Sequence, residues 1–233
     1  MNLENLLPEL RKYSQPKNLN GMKRYGIRTE KALGVPIPQL RKIAKKTGKN
    51  HKLALQLWQT EIHEARILAS MIAVPQNMTE EQMDEWVKDF NSWDLCDQCC
   101  NNLFGRTKWA HQKIFEWSAS HSEFIKRAGF VLLAVLAVHD KSTNDNEFKR
   151  YLHLLEEGAT DERNFVKKAV NWALRQIGKR NKYLNYHAIK TAQKIQDQNI
   201  RSAKWIASDA LRELTSEKIQ LRLTKRSHPG EKM

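Results

Sequence analysis

Within Asp161–Ile177 the apolar residues Val166, Ala169, Val170, Ala173 and Ile177 recur every three or four positions. That spacing draws one stripe down an α-helix, because successive residues turn by about 100°. The same rhythm fills most of the chain. It predicts further helices over Asn2–Tyr13, Asn18–Tyr25, Gln39–Lys46, Lys52–Trp58, Glu64–Ala73, Glu80–Phe90, Trp93–Phe104 and Trp109–Ala119. The rest are Glu123–Val138, Glu147–Glu157, Lys182–Asp197 and Ile200–Leu223. Gly26, Gly48, Gly105, Gly158 and Gly178 stand at helix ends, where a left-handed or unbranched residue closes the last turn. Pro36 and Pro38 make a rigid linker and open the third helix. Thr79 with Gln82 is a capping box, and Ser92 and Ser122 stand where a side chain caps the helix that follows. No segment alternates apolar and polar residues between turn signals, so no strand is expected.

Helix, short turn and helix repeat at a period of about 35–45 residues, which is the rhythm of stacked helical hairpins. The expectation is an all-α fold, a HEAT-like helical-repeat solenoid with a concave basic face; an irregular helical bundle is the alternative. Residues 1–223 are expected to form a single domain, with 224–233 a polar, disordered tail.

Composition changes this picture in one respect. The 233 residues hold 40 Lys and Arg against 26 Asp and Glu, a formal net charge of +14. An excess of that size points to a polyanionic partner, above all nucleic acid; a basic protein with no such partner is the plainer reading. The longest apolar run, Ala128–Val138, is short enough for a core helix, so no membrane partner is expected. The acidic start of the chain does not resemble a signal peptide. Cys96, Cys99 and Cys100 are the three cysteines. An odd, clustered set cannot staple a fold, so reduced thiols and a cytoplasmic location are expected.

Those cysteines draw attention to Asn91–Cys100. On this helix Leu95, Cys96, Cys99, Cys100 and Leu103 form the buried stripe. Asp97 points about 140° from its centre and Trp93 about 100°. The two lie four residues apart, on one face. The thiols are therefore expected in the core, with an aromatic ring beside a carboxylate turned outward.

A second off-core aromatic is Trp172, about 120° from the stripe of its helix, with Lys168, Arg175 and Lys179 on the same side. Cations that meet phosphates beside a ring that meets sugar or base suit a nucleic-acid surface. A tryptophan lying flat on a neighbouring helix beside a solvated basic face is the competing reading. The stretch Gly178-Lys179-Arg180-Asn181-Lys182 adds cations near a helix start, where backbone N–H groups favour phosphate. Arg127 enters the apolar helix one turn after Ser122. A cation there needs a carboxylate, a phosphate or a set of helix-end carbonyls. Trp58, Trp86, Trp109, Trp117 and Trp205 are expected as core or helix-packing residues.

Other chemistry is unsupported. Cys96-x-x-Cys99 has no second pair to complete a zinc site, and Ile67 stands where a zincin would need its second His. There is no phosphate-binding glycine loop and no serine-nucleophile motif. No metal and no cofactor are expected.

The residues also carry a family resemblance. Tyr25-Gly26-Ile27, Val35-Pro36-Ile37-Pro38-Gln39-Leu40-Arg41, Glu64-Ala65-Arg66-Ile67-Leu68-Ala69, Trp93-Asp94-Leu95-Cys96-Asp97 and Asn164–Arg175 together resemble the AlkD-type DNA alkylation repair family, over roughly Asn18 to Leu223. The resemblance implies a HEAT-like solenoid holding double-stranded DNA, a monomer that works at the bacterial nucleoid and excises 3-methyladenine and 7-methylguanine. It implies Asp97 as the catalytic carboxylate, Trp93 and Trp172 as the rings flanking the lesion, and Arg127 as the accompanying cation. Lys168, Arg175, Lys179, Arg180 and Lys182 are the expected nucleic-acid contacts. The alternative is a HEAT-like module that binds nucleic acid or protein without catalysis.

Overall fold

Hydrogen-bond partners in this chain recur about one repeat apart. A computed structural model describes residues 2–226; these are helical, with no strand among them. Their contacts divide the chain into two compact units, with the boundary between Ala110 and His111.

The first unit holds α1 (Leu3–Lys12), α2 (Lys17–Arg24), α3 (Ile37–Thr47), α4 (His51–Gln59), α5 (His63–Ile72), α6 (Glu80–Lys88) and α7 (Trp93–Asn102). The Thr79–Gln82 capping box closes in both directions at the start of α6. Asn50 caps α4 by accepting from Leu53 N–H. Ser92 occupies the N-cap position of α7, but its hydroxyl makes no cap bond. Ser122 is the same at α9. The middle of the unit is aromatic. Trp58 and Trp86 stack with ring centroids 3.8 Å apart. Asp89 accepts from Trp58 Nε1 at 2.8 Å and from Arg66 at 2.9 Å, so the buried guanidinium and indole share one carboxylate. α5 packs on α3, α4 and α7. Its Glu64 is almost fully buried and accepts from the backbone N–H groups of Leu33 and Gly34, both at 2.7 Å. That grip fixes the proline linker ahead of α3. Gly34 has φ +74°, and a Cβ there would lie 2.3 Å from the Gln15 carbonyl oxygen.

The second unit holds α8 (Ala110–Ser118), α9 (Glu123–His139), α10 (Asp145–Arg150), α11 (Leu152–Gly158), α12 (Asn164–Gly178), α13 (Lys182–Asp197), α14 (Arg201–Leu214) and α15 (Glu217–Arg226). α9 is its core element, with Arg127 through Ala137 all buried. α12 packs on both α9 and α14. Arg127 of α9 reaches Phe165 of α12, 38 residues on. Arg175 of α12 reaches Glu213 of α14, also 38 residues on. Equivalent helices thus run parallel and stack in register.

Two helices expected as continuous are broken. Tyr151 separates α10 from α11; it is fully buried, and its hydroxyl pairs with His111 Nδ1 at 2.7 Å. Thr215 and Ser216 separate α14 from α15. Their hydroxyls donate to the carbonyls of Leu211 and Glu213, which competes with the helical ladder. α15 runs on to Arg226, three residues into the stretch expected as tail; the rest of that stretch, 227–233, lies outside the described residues.

Candidate functional site

α7 carries the Trp93/Asp97 pair as its periodicity requires. Leu95, Cys96, Cys99 and Cys100 are buried beneath it. Trp93 and Asp97 are both half-buried, neither in the core nor fully in water. The indole is held in place, because Trp93 Nε1 donates to the Tyr25 carbonyl at 3.0 Å. Burial pushes the Cys99 and Cys100 thiols well up, and the Asp97 carboxylate is close enough to raise Cys100 further. Cys99 and Cys100 are therefore inert thiols at neutral pH.

Asp94, between the two, has another task. Its Oδ2 lies 2.8 Å from His63 Nε2 of α5. Burial pulls the His63 pKa down, but the hydrogen bond and charge of Asp94, with the charge of Glu64, outweigh it and the net shift is upward. Burial raises Asp94, and its hydrogen bond to His63 and the His63 charge outweigh that and hold it low. The His63–Asp94 hydrogen bond thus pins the first turn of α7 to α5. His63 also lines a cavity of about 280 Å³ with Arg28, Arg66 and Asn91. Helical periodicity does not predict this pair, because only the repeat register brings residues 31 positions apart into contact.

In the second unit Trp172 is half-buried on α12 and Lys168 is exposed one turn before it. Arg127 is 5% exposed, and its Nη1 donates to the Phe165 carbonyl at 2.6 Å in the first turn of α12. It therefore ties α12 to α9 two turns before Trp172. Of the other expected contacts, Arg175 and Lys179 both meet Glu213 at 2.7 Å, and Arg175 lies 3.6 Å from Asp209. Arg180 donates to the carbonyls of Ala137 and Asp140, both at 2.8 Å, closing the end of α9, and stacks 3.9 Å above the Phe148 ring. Burial lowers its pKa and the charges of Asp145 and Asp140 oppose that. Lys182 is exposed at the start of α13, where Asn181 already occupies the Leu184 N–H. Lys168 and Lys182 thus keep their charges in solvent, whereas Arg175, Lys179 and Arg180 have partners within the protein.

The expectation that Trp205 is a packing residue is corrected. It is 41% exposed, with Lys167 of α12 5.0 Å from its ring. The stripe that α14 buries is Ala203, Ile206, Ala207, Ala210 and Leu214, and Trp205 points about 160° from it. That angle was available in the sequence. Trp58, Trp86 and Trp117 are buried as expected.

A family model for the DNA alkylation repair enzyme matches residues 6–214. This chain belongs to that family. No curated protein sequence matches it. It is similar to a solved structure described as a new family of proteins related to the HEAT-like repeat DNA glycosylases with affinity for branched DNA structures. The TM-score is 0.76 and the identity 20%, over 91% of this chain and 95% of that one. The chain therefore has the HEAT-like repeat fold. A designed armadillo repeat protein in complex with the peptide (KR)4 aligns over 97% of this chain and 93% of that one, at 14% identity and a TM-score of 0.33; nothing about this chain follows from it. No helix among the described residues is long and apolar enough to cross a membrane.

Proposed function

We propose that the protein is a cofactor-free DNA glycosylase that removes positively charged alkylated purines, such as 3-methyladenine and 7-methylguanine, from double-stranded DNA. The observation that carries this reading is the half-buried Trp93/Asp97 pair on α7, over a floor of inert thiols. An N3- or N7-alkylated purine already bears positive charge, so it leaves C1′ without protonation by a general acid. The charge that develops is on the sugar, as in glycoside hydrolysis. One carboxylate is then enough. Asp97 stabilises the oxocarbenium-like sugar and orients the attacking water. The Trp93 face adds a cation–π contact that strengthens as the charge grows, by roughly 0.5–2 kcal/mol.

In this reading Trp172 contacts the lesion-bearing strand, and Lys168 and Lys182 meet backbone phosphates. Arg127 acts through its bond to Phe165, which sets the start of the helix that carries Trp172.

Incubation of methylated duplex DNA with the wild type releases 7-methylguanine, and Asp97→Asn does not. Equal release by both removes Asp97 from the mechanism. The similarity to a protein with affinity for branched DNA favours a second reading, a HEAT-like module that binds DNA without cleaving the glycosidic bond. It predicts salt-sensitive DNA binding with no base release at any enzyme concentration.

A further inference from the structure

The outward face of α13 carries chemistry that base excision does not use. The helix buries Leu184, Asn185, Ala188, Thr191, Ala192 and Ile195, and packs against α10, α11, α12 and α14. Tyr183 and Tyr186 point away from that stripe, by about 140° and 160°. They are 43% and 59% exposed. His187 joins them edge-on, with ring centroids 4.6 Å from Tyr183 and 5.3 Å from Tyr186. The three rings form one platform. It is held from α10, because the Tyr183 hydroxyl donates to Asn146 Oδ1 at 3.1 Å.

Cations border the rings. Lys149 Nζ lies 5.8 Å from the Tyr183 centroid and Lys190 Nζ 5.9 Å from that of Tyr186. The nearby acids are already committed, Glu147 to Arg150 and Glu156 to Lys194. Lys149 and Lys190 are exposed, and neither has an ion pair among the described residues. Partial burial and the Lys149 charge lower the His187 pKa, so at neutral pH the imidazole is a neutral ring within the platform.

Exposed aromatic faces in water are costly unless something covers them, and here the cations say what that is. Unpaired bases stack on tyrosine faces while their phosphates meet lysines. A duplex keeps its base faces stacked inside and has nothing to lay on such a platform. Tyr183 and Tyr186 are about 4.5 Å apart along the helix axis, within reach of neighbouring bases on an extended strand. We propose that this face of α13 binds single-stranded nucleic acid, with bases on Tyr183 and Tyr186 and phosphates on Lys149 and Lys190.

The test is fluorescence anisotropy of the full chain with labelled oligothymidine and, separately, with an unmodified duplex. The double variant Tyr183→Ala/Tyr186→Ala is expected to bind the single strand roughly tenfold or more weakly. Its duplex affinity and its circular dichroism stay those of the wild type. Tyr183→Phe/Tyr186→Phe keeps the rings and is expected to keep single-strand binding. The proposal is overturned if the wild type does not bind oligothymidine, or if the alanine variant binds it normally. It is also overturned if duplex affinity falls by the same factor, or if the phenylalanine variant loses as much as the alanine one. Base release from methylated duplex is measured alongside and judges only the glycosylase reading, so the two can fail separately.

Discussion

His63 at the start of α5 and Asp94 in the first turn of α7 meet at 2.8 Å, 31 residues apart in the chain and both largely shielded from water. The pair holds the end of α7 that carries Trp93. His63 keeps its proton more tightly in the folded protein than in the unfolded chain. Its contribution is therefore complete below about pH 6.5 and is lost as pH rises through the raised folded value. Asp94 is held low, so its contribution is present above about pH 4 and is lost as pH falls through the lowered value. Between those limits both charges stabilise the fold. Urea unfolding at about pH 5.5 and about pH 8.5 is expected to show His63→Ala destabilised by about 3 kcal/mol at the lower pH and by less at the higher. Equal losses at both values would show that the ion pair contributes nothing.

Glu213 holds Arg175 and Lys179 together. Burial raises its pKa, and the two cations more than compensate. Glu213→Gln is expected to free Lys179 and to leave Arg175 with Asp209 alone. Nonspecific duplex affinity then rises at low salt, and the salt dependence steepens by about one phosphate contact. An unchanged slope would mean that Lys179 does not reach DNA.

Gly129 lies inside α9, where Ala would ordinarily gain about 1 kcal/mol from helix propensity. Here a Cβ would stand 2.5 Å from the Ser118 backbone nitrogen at the end of α8. Backbone cannot swing aside as a side chain does, so the sign reverses. Gly129→Ala is expected to lower stability by about 1–3 kcal/mol in chemical denaturation. A stabilised variant would place α8 farther from α9 than the structure does.

Trp93→Phe keeps a ring over the proposed site and deletes the N–H that bonds the Tyr25 carbonyl. Tyr25 is well exposed, so water replaces the lost donor and stability changes by less than about 1 kcal/mol. Base release is expected to slow while the melting curve barely moves. A large loss of stability with normal release would make Trp93 a packing residue.

Much of this was legible from residue spacing alone. The burial of Cys96, Cys99 and Cys100 and the outward turn of Trp93 and Asp97 follow from counting along one helix. Trp205 was open to the same count. The His63–Asp94 contact was not, because periodicity describes one helix and is silent on which turn of the next helix it faces. The fates of Arg175, Lys179 and Arg180 were hidden for the same reason: their partners Glu213, Ala137 and Asp140 lie 34 to 43 residues away. The helix breaks at Tyr151 and at Thr215–Ser216 come from hydroxyl groups that find tertiary or local acceptors, which no apolar stripe reports.

The one-repeat spacing of partners has a kinetic consequence. Bringing such near neighbours together closes only short loops, so the chain has a low contact order and is built for rapid folding from any point along its length. The bond from Trp93 to the Tyr25 carbonyl spans 68 residues and stands outside that scheme. It closes a far longer loop than the other bonds described above, so the fixing of this indole is expected late in folding.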